Sequence, residues 1–336
     1  MEQVKENSKF IRFKIFVALI ISFIQGVLLK VLSICLLPSA IKKVTLLKKY
    51  REQNANLAVV VLCEHIGDAI SCEPVSTFLK TKFNKTVVWI VNEKYKELIE
   101  LFENVDFVLP VSCVSEYIYM SRFLKSFEIH NLHFDQKQCR KYGLVLRNNN
   151  TLFHMGNYVK YGSLLQTFSV TGGLPMLENK PHLKLDEKER FSEIDYPFCA
   201  IHVETNEPTR TMTKEKWIDI ISHFPNIRFV EIGLHSNLSD APNCCSNYCG
   251  KLSLVDSFYL VKKCSLFIGV DSSMAHVANA LQKRSLIIMG RYHNYDNYMP
   301  FPGRDDNMTI VRSSEQVCDM SIETIVDELK EIIEKM

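Results

Sequence analysis

Residues 57–74 read LAVVVLCEHIGDAISCEP. The first six are apolar and rich in β-branched valine, the composition of a strand buried on both faces in a parallel sheet. Polar residues follow, then Gly67-Asp68 and an alanine-led stretch that fits the start of a helix. A buried strand turning at once into a helix opens a β-α-β unit. It leaves Asp68 at the strand's carboxyl end, where open α/β sheets bind their ligands. An aspartate at a helix start has an ordinary explanation, because it satisfies free amides and contributes about 1 kcal/mol. The same carboxylate facing a cleft can act as general base on a hydroxyl, and the two roles are compatible.

Working outward from this stretch, short β-branched runs alternate with amphipathic ones. The helix after the first strand is expected over DAISCEPVSTFLKTKF (68–83), and TVVWIV (86–91) reads as a strand. EKYKELIELFEN (93–104) then reads as a helix and VDFVLPV (105–111) as a strand. Residues 112–150 are less patterned, with a strand expected at EIHNLHF and a polar loop at RNNN. NYVKYGSLLQTFSVTGG (157–173) reads as a helix closed by Gly172 and Gly173, and LPMLENKPHLKLDEKER (174–190) as a connector between domains. The second half restarts the alternation, with strands at YPFCAIHVE, IRFVEIG, SLFIGV and SLIIMG. Helices are expected at TKEKWIDIISHF, SLVDSFYLVKKC and SSMAHVANALQKR. The expected fold class is α/β, two doubly wound Rossmann-like domains over 57–175 and 176–312 facing across a cleft. A final helix within 313–336 is expected to pack back on the first domain.

The chain is ordinary globular material, with 336 residues, 47% of them hydrophobic and 23% charged, enough for two domains. Its net charge of +2 hides an asymmetry. Residues 1–51 hold ten Lys/Arg against two Glu, a charge of +8 that leaves −6 for the rest. Within that zone Ile15 to Leu29 is an uncharged run of fifteen residues between Lys14 and Lys30. A bilayer span needs about 20 apolar residues, so a span tolerating Lys30 competes with a helix lying in the interface. No A-x-A-like site follows for a signal peptide. The expectation is a membrane-associated extension over residues 1–56, on the cytoplasmic face of the inner or plasma membrane.

Eleven cysteines, an odd number spread from Cys35 to Cys318, read as reduced thiols rather than a disulfide framework. The cluster CCSNYC (Cys244, Cys245, Cys249) lacks a second Cys/His pair at zinc-finger spacing, so no metal site is expected.

Two further stretches carry chemistry. In SLFIGVDSSMAHVANAL a strand ends at Asp271-Ser272-Ser273 and a small-residue helix begins, and such free amides form an anion site. Asp271 would repel a phosphate there and is expected to turn toward a sugar hydroxyl or cap the loop. His276 on the first turn can donate to a phosphate or sugar oxygen, although a lone histidine is more often structural. After the strand CAIHVE, the loop TNEPTRTMTKEKW carries Arg210 and Lys214. They supply the positive charge that a departing diphosphate needs, or else a solvated basic loop.

These residues resemble the heptosyltransferase-like glycosyltransferases of family 9, from bacterial lipopolysaccharide and polysaccharide synthesis. The resemblance rests on Gly67-Asp68 followed by Pro74, and on DSSMAHVANAL against D-[ST]-G-x-x-H-x-A-x-A-L, with Ser273 in place of the glycine. It rests also on Arg210 standing seven residues before Trp217, on CGKLSLVDSFYLVKKCSLFIGVD, and on the closing loop GRYHNYDNYMP. It covers residues 57–300. It implies a GT-B architecture, with the acceptor in the first domain and the nucleotide sugar in the second. Asp68 would be the catalytic base of an inverting transfer. Arg210, Lys214, Asp271, Ser272, Ser273 and His276 would bind the donor. ADP-heptose is the default donor, the acceptor is a lipid-linked or oligosaccharide hydroxyl at the membrane surface, and no metal or other cofactor is required.

Other readings fit less well. No G-x-G-x-x-G follows an expected strand, as a nicotinamide-dependent oxidoreductase would need, and no G-x-x-x-x-G-K-[ST] marks an NTPase. No nucleic-acid partner is expected. The remaining alternative is a non-catalytic, membrane-attached nucleotide-sugar-binding protein of the same fold.

Overall fold

The structure is a computed structural model that describes residues 2–148, 152–187, 190–205, 207–241, 243–291 and 299–336, apart from the side chains of residues 2–13 and 245. Residues 292–298, most of the closing loop read above, lie outside the described residues.

In chain order the first half contains α1 (Glu2–Leu32), α2 (Leu37–Gln53), β1 (Leu57–Val61), α3 (Ile66–Ser71), α4 (Glu73–Phe83), β2 (Thr86–Asn92) and α5 (Lys96–Ile99). It continues with β3 (Phe107–Val111), α6 (Val114–Ser121), β4 (Glu128–Asn131), the hairpin of β5 (Lys137–Gln138) and β6 (Val145–Leu146), and α7 (Leu164–Thr171). The second half contains β7 (Cys199–His202), α8 (Lys214–Ser222), β8 (Phe229–Glu231), β9 (Cys244–Asn247), α9 (Leu254–Lys263) and β10 (Leu266–Val270). It ends with α10 (Ser273–Ala280), β11 (Ser285–Met289), β12 (Met308–Arg312) and α11 (Glu323–Glu334).

Two parallel sheets result, one ordered β3-β2-β1-β4 and the other β12-β11-β10-β7-β8-β9. In the first, the chain order reverses beside β1, so the crevice of a doubly wound sheet opens at the carboxyl ends of β1 and β4. The central strands β1, β10 and β11 are buried along their whole length, as their valine- and isoleucine-rich sequences require.

The helix expected over 68–83 is two helices, α3 and α4. The break falls at Cys72, with Pro74 in the first turn of α4. Proline has no amide to continue the ladder and is tolerated only in the first turn of a helix, so the helix has to restart just before it. The glycine closure of α7 stands, with Gly173 at φ 75°. Helix α6 and strands β9 and β12 had not been anticipated.

Each sheet is covered on both faces. On the outer face of the first, Val59, Val61, Val88 and Ile90 pack with α6 residues Tyr117 and Met120 and with Ala40, Val44 and Leu47 of α2. Those three α2 residues form one buried stripe at i, i+4 and i+7. Helix α2 therefore belongs to the first domain, a correction to the 1–56 extension. Lys43 and Ser39 of α2 also bond the buried Glu116 of α6, at 2.7 and 2.6 Å. Helix α1, by contrast, stands away from the fold, with Phe23 72% and Leu19 63% exposed. From Lys14 it is apolar and long enough to cross a membrane.

On the outer face of the second sheet, Ile325, Val326, Leu329 and Ile332 of α11 pack with Trp217, Ile220, Leu286 and Ile288. The terminal helix thus lies on the second domain, contrary to the expected return to the first. Its apolar stripe matches the open face of that sheet beside α8. Between the sheets one continuous cluster joins Val60 and Trp89 to Phe267 and Ile287, and the connector contributes Leu174, Leu177, Leu183 and Leu185 to it.

Candidate functional site

The carboxyl ends of β1, β7, β10 and β12 supply the candidate site. After β1, His65 adopts φ 67°, a left-handed value uncommon outside glycine, and turns the chain into α3. Asp68 is the third residue of that helix. No side chain caps α3, so the capping role is not the one Asp68 plays here, and its carboxylate makes no hydrogen bond to a described residue. Asp68 is half-buried. Loss of solvent pushes its carboxyl up to about 7, with Lys137 and Arg210 pulling the other way and Asp271 and Glu64 adding to the rise.

Opposite it, β10 delivers Asp271, which is buried and held by Arg210 through a 3.0 Å contact from NH1 to Oδ2. Burial raises the Asp271 carboxyl, and Arg210, foremost among the cations, opposes the shift; Arg312 at the end of β12 acts in the same sense. Arg210 closes a short turn over Pro208–Arg210 directly before α8. The polar loop after β7 therefore brings a guanidinium to the end of β10, as the sequence suggested.

Ser272 occupies the N-cap position of α10, but no side chain caps that helix. Its hydroxyl lies 3.0 Å from His202 Nδ1 instead. Burial lowers His202 to about 4, so the ring is neutral at pH 7. With the cap hydroxyl turned away, no side chain caps the first amides of α10, and its first residue, Ser273, is half-buried.

Two expected donor residues are engaged in other contacts. Lys214 Nζ is 2.6 Å from Asp240 in a solvent-exposed pair. His276 is buried, with Nδ1 2.9 Å from Ser71 Oγ of the first domain and its ring 4.7 Å from that of Phe301. Burial lowers it to about 3, which keeps it neutral. Asp68, Arg210 and Asp271 are close enough to act on one another's ionisation, and Ser272 and Ser273 follow Asp271 in the turn into α10.

Four residues not anticipated join them. Lys137 of the β5–β6 hairpin pairs with Glu64 at 3.0 Å and, of the charged groups, acts most strongly on Asp68. Its hairpin lies in the unpatterned region 112–150, where the sequence carries no signal for it. His202 and Arg312 end parallel strands, and the rule that ligands gather at carboxyl ends was the available pointer. Among the described residues no group of three or more His, Cys, Asp or Glu is placed to hold a metal ion.

The family model for glycosyltransferase family 9 (heptosyltransferase) matches residues 231–327, the segment from the end of β8 into α11. Among curated proteins none matches the sequence. Among solved structures, the chain is similar to the Escherichia coli ADP-heptose lps heptosyltransferase II, at 14% identity and TM-score 0.63, covering 83% of this chain and 99% of that one. It is similar to a family 9 glycosyl transferase from Veillonella parvula, at 13% identity and TM-score 0.65, covering 84% and 98%. It also resembles the Escherichia coli heptosyltransferase WaaC with ADP-2-deoxy-2-fluoro heptose, at 12% identity and TM-score 0.53, covering 83% and 99%. The chain thus has the GT-B fold of these heptosyltransferases, and within it residues 231–327 match the family 9 glycosyltransferase model.

Proposed function

We propose that this protein transfers a sugar from a nucleoside diphosphate donor to an acceptor hydroxyl with inversion at the anomeric carbon. The observation that carries the reading is the Asp68 carboxylate, free of hydrogen bonds to described residues, raised to about 7 and set opposite the Arg210–Asp271 pair. Asp68 takes the proton of the acceptor hydroxyl as its oxygen attacks the anomeric carbon. The bond from that carbon to the diphosphate oxygen breaks and the electron pair leaves with the nucleoside diphosphate. The charge that develops meets Arg210 and the uncapped start of α10 at Ser273. Arg312, rather than the paired Lys214, is the second cation of this scheme. Asp271 and Ser272 shape the donor loop from within.

ADP-heptose is the donor favoured by the ligand of the WaaC structure. The acceptor is a lipid-linked or oligosaccharide hydroxyl, held by the first domain near Lys137. The exposed apolar helix α1 and the lysines that follow it support attachment to an anionic membrane surface.

A thermal-shift screen against ADP-, GDP-, UDP- and dTDP-sugars tests the donor, because a ligand at about 100 times its Kd stabilises the native state by about 2.7 kcal/mol. A selective rise with one nucleotide, followed by release of that nucleoside diphosphate in the presence of acceptor, is the expected result. Binding without release would leave the non-catalytic alternative, and no shift with any donor would overturn the proposal. Removal of residues 1–32 is expected to move the protein from the membrane pellet to the soluble fraction with its fold retained; a truncated protein still in the pellet and correctly folded would remove α1 as the anchor.

A further inference from the structure

The buried hydrogen bond between Ser71 Oγ and His276 Nδ1 crosses from the first domain to the second. Ser71 is fully buried and His276 5% exposed, so this is an interior contact between the two helices that carry the site. A serine near a helix end ordinarily bonds back to its own backbone. Ser71 sends its hydroxyl to the other domain instead.

Gly67 shows how close the approach is. A Cβ on Gly67 would stand 2.7 Å from His276 Cδ2 and 3.1 Å from Nε2. Glycine is needed there for the space taken by the imidazole. Phe301 packs near the ring as well. His276 is therefore gripped by Gly67 and Ser71 of α3 together with an aromatic of its own domain, and Asp68 sits directly beside Gly67 in the sequence.

We infer that Ser71 and His276 are positioning residues that set the register of the Asp68 helix against the Asp271–Ser273 loop, with His276 holding the first domain rather than the donor. The inference rests on the transfer proposed above for its effect on turnover, but the contact itself does not. One helical turn separates Asp68 from Ser71, and another separates Ser273 from His276. A slip of the contact changes the gap between base and donor by about the same distance, and about 1 Å of misplacement can cost about 100-fold in rate.

The test compares Ser71→Ala, His276→Asn and His276→Gln in the full-length protein. Asparagine places a polar atom near the position of Nδ1, and glutamine places one near Nε2. The expected result is a loss of about 100-fold in kcat for Ser71→Ala and His276→Gln, recovery of most of it in His276→Asn, and ADP binding by calorimetry within about twofold throughout. If both histidine variants weaken ADP binding while Ser71→Ala turns over normally, His276 is a donor contact and the inference is overturned. Hydrogen exchange supplies a readout independent of transfer. Ser71→Ala is expected to speed exchange in both α3 and α10, whether or not any donor is turned over, and unchanged exchange in both helices would equally overturn it. Ser71→Ala removes one oxygen and so keeps the test open should a histidine variant fail to fold.

Discussion

The junction from β1 to α3 and the junction from β10 to α10 are the same device used in opposite ways. Each is a fully buried strand running into a helix with an aspartate at the turn. At the first, Asp68 has no hydrogen-bond partner among the described residues and is pushed up to about 7. At the second, Asp271 is buried deeper and tied to Arg210. On the proposed mechanism, the carboxylate that exchanges a proton is the partly desolvated one, and the one that shapes the donor loop is the one paired with a fixed cation. Position at a strand end therefore does not assign a role. The partner does.

The sharpest way to break this contrast is Asp68→Asn. It is expected to lower kcat by about 1,000-fold with ADP affinity within about twofold, since general-base catalysis contributes about 100- to 10,000-fold. Asp271→Asn, by the same measurement, is expected to weaken donor binding more than turnover. Equal losses in kcat at both positions would erase the distinction.

Arg210→Ala comes next. It leaves Asp271 buried without its cation and is expected to cost about 3 kcal/mol in unfolding free energy and about 10-fold or more in donor affinity. Adding Asp271→Asn to that variant is expected to restore stability but not donor binding. Recovery of both would place the diphosphate elsewhere.

The smallest effect concerns pH. Asp68 titrates at an ordinary 3.8 when unfolded and at about 7 when folded. Its ionisation therefore works against the native state increasingly as pH rises from 3.8 to about 7, in full above that, and the cost vanishes below 3.8. Asp68→Asn is expected to stabilise the protein by on the order of 1 kcal/mol at pH 8 and by nothing at pH 3.5, followed by denaturant unfolding. In the active enzyme kcat/KM is expected to fall as pH drops through about 7, because the base must be ionised. A profile flat from pH 6 to 8 would remove Asp68 as the base.

Most of the fold could be read from the period of apolar residues. The runs at 57–62, 86–91, 265–270 and 285–289 are too apolar and too short to be anything but buried strands, and the structure has strands at each. The division of the helix at Cys72 was missed, although Pro74 was the signal for it. Helix α2 was misassigned because its stripe of Ala40, Val44 and Leu47 is narrow and surrounded by lysines, so composition alone groups it with the apolar stretch before it. At the site, Asp68, Arg210 and Asp271 stood out because charged residues in the turns and loops that follow buried strands are conspicuous. Lys137 did not, because it reaches the site from a two-residue hairpin strand that no periodicity announces. His276 was legible as a site residue, but its bond to a serine 205 positions away is a tertiary fact that no local pattern contains.

The apolar cluster shared by the two sheets, into which the connector's four leucines are also folded, has a consequence for motion and for melting. Domains joined by a thin polar hinge swing apart and unfold one at a time. Domains that share a dry interior move by small sliding of packed helices, as in shear, because opening would expose that interior to water. The two halves of this protein should accordingly melt as a single cooperative unit, with calorimetric and van't Hoff enthalpies that agree despite its two sheets.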